Sequence, residues 1–318
     1  MAVFLDGDVF IAGYHSGVDS LLIEQFRSGA LIDTIDPGVA GSYPGQSMDL
    51  DSAKNLYIPA YFGDGVVKVT PDGVSQGIWW SSVGYGGPWS VSTDESDNIY
   101  VLANGTPVKV IKLNTSATIL ATYTLAFPAA YTSGFCYGGS VSPDGTKYLY
   151  SLVDDLGGGL FGEDSIIAQW DLVNDLQLPD FTTENWTTFI PGGLRVRSGD
   201  GKVFVALADP TAFYFNGTPS PGPSVSLRVY EQDASSYVAF VSAPSAAFDV
   251  ALQSQSTAIF TITHSGKAFR ASLSTGLASD FADFSGRGTV AIAILPAFPG
   301  LIRYSPAAAE LWFKTTFP

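Results

Sequence analysis

Residues 142–150 read SPDGTKYLY. Pro143 presets its own φ, and Asp144-Gly145 suits the tight reversals that join neighbouring antiparallel strands. Tyr148, Leu149 and Tyr150 are β-prone, so the stretch reads as a turn followed by the second strand of a hairpin. The same arrangement recurs at DGDVFIAG (6–13), DSAKNLYIPA (51–60), DESDNIYVLA (94–103), SGDGKVFVAL (198–207), SQSTAIFTIT (254–263) and SGRGTVAIAI (285–294). A further short strand follows each, such as GVVKVT (65–70) or VKVIKL (108–113), and then a polar turn and another strand. Short strands such as QSMDL and WSVST precede the opening turns. Four strands in about 45 residues is the period of a β-propeller blade.

The expected fold is therefore all-β: a single β-propeller of four-stranded antiparallel blades, one domain over residues 1–318. The second strands begin near residues 8, 55, 98, 147, 202, 258 and 289, which favours seven blades. The last interval is too short for a full blade, so six blades with a C-terminal extension is the alternative. An open ring would expose strand edges, and MAVFL or ELWFKTT at the ends of the chain is expected to close it.

Charged residues make up only 14% of the chain, and the formal net charge is −15. An acidic surface of this kind disfavours binding to nucleic acid or to an anionic membrane. No apolar run is long enough for membrane insertion, and the N-terminus has no signal-peptide pattern. Cys136 is the single cysteine, which excludes an intrachain disulfide. The sequons at Asn104, Asn114, Asn185 and Asn216 read as chance matches in a chain rich in Ser and Thr.

SPDGTKYLY resembles the blade motif of the YncE-like and lactonase-like propellers, and DESDNIYVLANG resembles an NHL or SMP-30-type repeat. The resemblance extends over most of the chain at blade level and implies the propeller fold. Some members of these families are lactonases or lyases, with Glu, Asp, Asn or His around a metal in the central channel. Those residues have no motif-by-motif counterpart here, and fold alone does not imply function.

Residues that could carry chemistry are sparse. His15 and His264 are expected in loops, without metal-ligand spacing. Asp49, Asp51 and Asn55 echo a calcium loop but lack its glycine and terminal glutamate. Asp154, Asp155, Glu163 and Asp164 flank a glycine run, which reads as a solvated acidic insertion. No catalytic residue, metal site or cofactor is expected.

The loops divide into two sets. Loops joining strands one to two and three to four are short and polar, as in PDGT, DESD and SGDG. Loops joining strands two to three, and blade to blade, are long and aromatic. They place Tyr14, Tyr61, Phe62, Tyr85, Tyr131, Phe135, Tyr137, Phe161, Phe213, Tyr214 and Phe215 on one face. Aromatics on long loops suit an interface, and the competing expectation is that these rings pack on one another.

The expected function is a non-enzymatic structural or interaction module with protein partners in a larger assembly. A bacteriophage virion is the expected setting: a capsid or tail decoration, or a receptor-binding protein that meets host surface glycan. A cytoplasmic location is the alternative to the virion. A lactonase- or lyase-type enzyme and a carbohydrate-binding propeller are the alternative functions. Carboxylates converging on the central channel would favour the enzyme.

Overall fold

The structure, a computed structural model, describes residues 3–15, 20–63, 65–127, 135–155, 161–182, 190–208, 227–234, 236–240, 247, 249–254, 257–262, 267–275, 277–283 and 290–294. Among these residues there is no helix, and the strands form six four-stranded antiparallel sheets.

Blade 1 contains β1 (Val9–His15), β2 (Ser20–Arg27) and β3 (Ala30–Ile35). Blade 2 is β4 (Asp49–Leu50), β5 (Leu56–Ala60), β6 (Gly65–Val69) and β7 (Ser75–Ser81). Blade 3 is β8 (Gly87–Thr93), β9 (Ile99–Asn104), β10 (Lys109–Leu113) and β11 (Ile119–Thr124). Blade 4 is β12 (Phe135–Val141), β13 (Lys147–Asp155), β14 (Phe161–Asp171) and β15 (Leu176–Gln177). Blade 5 is β16 (Ile190–Val196), β17 (Val203–Ala208), β18 (Leu227–Tyr230) and β19 (Tyr237–Phe240). Blade 6 is β20 (Asp249–Ser254), β21 (Thr257–Ile262), β22 (Lys267–Ser272) and β23 (Ala278–Asp283). The last strand, β24 (Val290–Ile294), pairs with β1 as the innermost strand of blade 1.

The preference for seven blades is thereby corrected to six. SGRGTVAIAI does not open a seventh blade. Its strand completes the first one, which is why it follows its predecessor so closely. The closing strand is likewise not MAVFL. Val3–Leu5 form no strand, although the Phe4 amide donates to the Pro71 carbonyl at 2.8 Å and Phe4 packs on Phe10. Residues 310–318, the other candidate, lie outside the described residues.

The apolar faces of neighbouring blades meet in six buried clusters, one at each blade interface. Tyr100 of blade 3 packs with Tyr148 and Tyr150 of blade 4, and Phe10 and Ile23 of blade 1 pack with Leu56 and Val67 of blade 2. Each blade is buried on both faces, so its central strands are apolar at successive positions, as in the wholly buried β5 and nearly wholly buried β9.

The opening turns hold their strands through a repeated clasp. In DSAKNLY (51–57), the Asp51 carboxylate accepts the Asn55 backbone amide at 2.9 Å, the Asn55 side-chain amide at 2.7 Å and the Tyr57 hydroxyl at 2.9 Å. In DESDNIY (94–100), Asp94 takes the same three donors from Asn98 and Tyr100. Burial and the neighbouring carboxylate push both tyrosine hydroxyls well above their usual range. The fourth residue of the turn is left-handed each time: Lys54, Asp97 and, in SPDGT, Gly145. Asp51 thus serves the hairpin, and the calcium-loop echo is a clasp built from hydrogen-bond donors. Replacing Tyr57 by Phe removes a bond to a charged, buried acceptor and is expected to cost about 1.5–3 kcal/mol in urea denaturation.

Candidate functional site

Among the described residues, polar side chains meet at the axis and aromatic ones on the face built from the long loops.

At the axis the inner strands are stitched to one another by side chains. Thr93 donates to Asp49 and to the Leu50 carbonyl, Ser90 donates to the Gly139 carbonyl, and the Val196 amide donates to Ser140. Arg195 is the largest of these side chains. From β16 it donates to the Met48 carbonyl of blade 2 at 2.8 Å and to the Ile292 carbonyl of β24 at 3.3 Å. Blade 5 and blade 2 are opposite each other, so this guanidinium crosses the axis.

Asp249, fully buried on β20, stands 3.7 Å from Arg195. Its carboxylate accepts the Ser47 hydroxyl at 3.0 Å, the Val250 amide at 2.9 Å and the Ile292 amide at 3.0 Å. Burial raises its pKa to about 6, against the opposing pull of Arg195 and these hydrogen bonds. Burial also raises Asp49, again opposed by Arg195. Two carboxylates therefore do approach the channel, but their oxygens hold the strands together.

The long-loop face carries a connected row of rings. Tyr14, at the end of β1, stacks on Tyr43 with centroids 4.1 Å apart. Tyr43 meets Phe62 edge-on at 5.5 Å, Phe62 meets Tyr61 at 4.8 Å, and Tyr61 meets Trp89 at 4.8 Å. The row runs from blade 1 across blade 2 to the start of β8. Trp89 donates its indole N–H to Gln46. A Cβ on Gly87 would lie 2.5 Å from the Tyr61 ring, so only glycine lets that ring lie against the strand. Tyr85 packs on Trp80 and lies under the Lys109 ammonium.

Of the expected face residues, Tyr14, Tyr61, Phe62 and Tyr85 are on this face. The rings touch one another, yet Phe62 remains 64% exposed and Val83, in the adjoining loop, 73%. Phe135 and Tyr137 belong to β12 and Phe161 to β14, so they are strand rather than loop residues; β13 and β14 run further than their apolar cores suggest. The same extension puts Asp154 and Asp155 on β13 and Glu163 and Asp164 on β14 instead of in an insertion. His15 is the last residue of β1 rather than a loop residue. Tyr131, Phe213, Tyr214, Phe215 and His264 lie outside the described residues. Tyr43 and Trp89 were missed. Tyr43 occupies a blade-to-blade loop of the same class as the others, and Trp89 is the first aromatic after such a loop, which are the signals that could have found them.

No protein-family model and no curated protein matches the sequence. Among solved structures, the chain is similar to one from a nidogen/laminin complex at 9% identity and TM-score 0.65, covering 91% of this chain and 100% of that one. A protein of unknown function from Bacteroides caccae matches at 11% identity and TM-score 0.59, covering 90% and 99%. A streptogramin B lyase matches at 11% identity and TM-score 0.49, covering 87% and 74%. Likeness at these identities shows the propeller fold alone.

Proposed function

We propose that this propeller is a non-enzymatic interaction module whose long-loop face binds a protein partner. The observation that carries the reading is the row Tyr14–Tyr43–Phe62–Tyr61–Trp89, fixed by ring contacts and only partly covered. Preordered aromatic rings lose little rotamer freedom on association and offer large contact areas. With a net charge of −15, apolar burial rather than attraction to phosphates supplies the affinity. That a chain of similar fold comes from a nidogen/laminin complex supports the reading.

The lactonase or lyase alternative needs carboxylates open to a channel. Asp249 is fully buried, with Ser47 and two backbone amides on its oxygens and Arg195 of the neighbouring blade 3.7 Å away, which supports the non-enzymatic reading. The virion setting and a glycan ligand are further proposals that rest on composition; cryo-EM of the purified native assembly tests the first, and a glycan array the second.

The test compares Phe62→Ser, and a Tyr61→Ser/Phe62→Ser pair, with Asp72→Ser on the opposite face. Phe62→Ser removes an exposed ring, so its folded stability should change by no more than about 0.5 kcal/mol. Native mass spectrometry of complexes isolated from the source should show at least about tenfold loss of partner for the aromatic variants and none for Asp72→Ser. The reverse pattern identifies the wrong face. Unfolding of the pair variant would make the row structural.

A further inference from the structure

The short-turn face holds a cleft that the proposed interaction does not use. It lies between blades 4 and 5, has a volume of about 380 Å³, and is walled by the turns Ser142–Thr146 and Arg197–Gly201. Leu149, Phe181, Val196 and Val203 line its apolar part, Glu95 reaches it from blade 3, and Gln232 belongs to the far turn of blade 5. That volume is in the range of small-ligand sites.

The sequence explains why the cleft opens here. At the neighbouring interfaces the opening turns touch: Lys54 pairs with Asp6 at 2.8 Å, Ser52 donates to Asp97, and the Glu95 amide donates to the Pro143 carbonyl. The turn of blade 5 follows a different course. It runs through Gly199 and Gly201, both left-handed, and closes on itself through Arg197 and Asp200, 2.6 Å apart. The connection to blade 5 passes instead through Glu95, which accepts the Ser198 hydroxyl.

The charges in the cleft do not cancel. Arg197 is neutralised by Asp200 and rests on the Phe204 ring. Lys147 stands opposite Asp171 on β14, whose carboxyl is held low by Asn174 first, by backbone amides and by Lys147 last. Among the described residues, neither Glu95 nor Asp144 forms an ion pair with a cation, although Lys147 also lines the cleft. The described partner of the Glu95 side chain is a hydroxyl, and those of Asp144 are the Ser142 and Thr146 hydroxyls and the Thr146 amide. Both carboxylates are exposed. Lys147 and Leu149 alternate on β13 and so share the face toward blade 5, where Leu149 joins Leu194 and Val203 in the interface core.

We propose that this cleft binds a basic side chain, an arginine or lysine, presented by an extended peptide segment of a partner. The aliphatic stem lies on Leu149 and Phe181, and the cationic head meets Glu95 and Asp144. A long basic side chain matches a site with an apolar floor and an anionic end, because its stem and head have those two solvation demands. A guanidinium can also donate to both carboxylates at once.

The experiment is calorimetric or NMR titration at low ionic strength with Nα-acetyl-L-arginine amide, against Nα-acetyl-L-norleucine amide as the uncharged equivalent of the stem. The arginine amide should bind at millimolar concentration or tighter and the norleucine amide at least about tenfold more weakly. Glu95→Gln/Asp144→Asn should weaken the arginine amide by about tenfold or more, while Asp72→Asn, a carboxylate elsewhere on the same face, should leave it unchanged. Thermal melting of each variant confirms that it folds, and chemical-shift changes at the Leu149 and Val203 methyls place the ligand. Equal binding of the two amides, full binding by the double variant, or equal loss in Asp72→Asn would each overturn the proposal, the last by showing diffuse attraction to an acidic surface. Absence of any binding would overturn it as well. None of these outcomes bears on the aromatic face.

Discussion

Replacing Arg195 by Met is expected to destabilise the protein by about 3–5 kcal/mol at pH 7, the cost of leaving one partner of a buried ion pair without the other. The substitution does more than remove a charge. The carbonyls of Leu194, Met48 and Ile292 each lose a buried hydrogen-bond donor. Asp249 keeps its hydrogen bonds from Ser47, Val250 and Ile292 but loses the guanidinium of Arg195.

The pH dependence separates this account from simple loss of packing. Asp249 titrates near pH 6 in the folded protein, above the usual carboxylate value of 3.8, because burial outweighs Arg195. The folded state therefore binds this proton more tightly than the unfolded chain, and stability falls as pH rises from about 4 to about 6. That range corresponds to about 3 kcal/mol. Asp49 is shifted in the same direction. Asp8 acts oppositely. Although burial opposes ionisation, its bonds from Arg27, the Leu5 amide and Gln25 hold its carboxyl low, so its contribution is present above the unfolded pKa and is lost in stronger acid. Asp249 and Asp8 therefore pull in opposite directions, the first losing its contribution as pH rises towards 6 and the second as pH falls into stronger acid. In Arg195→Met the decline should extend to higher pH, since the group that opposed the upward shift is gone. Guanidinium denaturation at a series of pH values reads both effects. A variant curve parallel to the wild type would mean that Arg195 contributes by packing alone.

The blade period was legible because each hairpin combines a polar turn with a β-prone strand at a nearly constant interval. Blade number was not, because β24 has that same local signature. Its place as the inner strand of blade 1 depends on pairing with β1, almost the whole chain away, and local pattern carries no such information. Turn chemistry was legible in part. Asp144-Gly145 announces a left-handed residue, but Lys54 and Asp97 adopt the same conformation without glycine, held there by the Asp51 and Asp94 clasps. On the aromatic face, the division between short polar and long aromatic loops led to Tyr14, Tyr61, Phe62 and Tyr85. Which rings touch was not readable, since the contacts join loops of different blades. The axis was the least legible part. GLRVR and FDVAL look like ordinary inner strands; packing of the neighbouring blades 5 and 6 sets Arg195 beside Asp249, and the closed ring brings Arg195 to Met48 and Ile292.

Ending the chain at Asp283 should abolish the native fold, with aggregation rather than a stable ring whose blade 1 has three strands. β24 supplies the inner edge of blade 1, pairing with β1 from Val9 to Gly13. Its removal uncovers Phe10 and Ile11, both in interface cores and packed in the clusters that contain Ala293 and Ile292. It also deprives Asp249 of the Ile292 amide and Arg195 of the Ile292 carbonyl, so the axis loses a strand and two of its ties at once. A bare inner edge beside a buried ion pair is a template for pairing with another chain. The decisive measurement is rescue in trans. A synthetic peptide spanning residues 286–296, added during refolding, should restore soluble protein and protection of the β1 amides in hydrogen exchange. The same peptide with Ile292 replaced by Pro cannot donate to Asp249 and should fail. If the truncated chain is soluble and cooperative without the peptide, ring closure does not depend on β24.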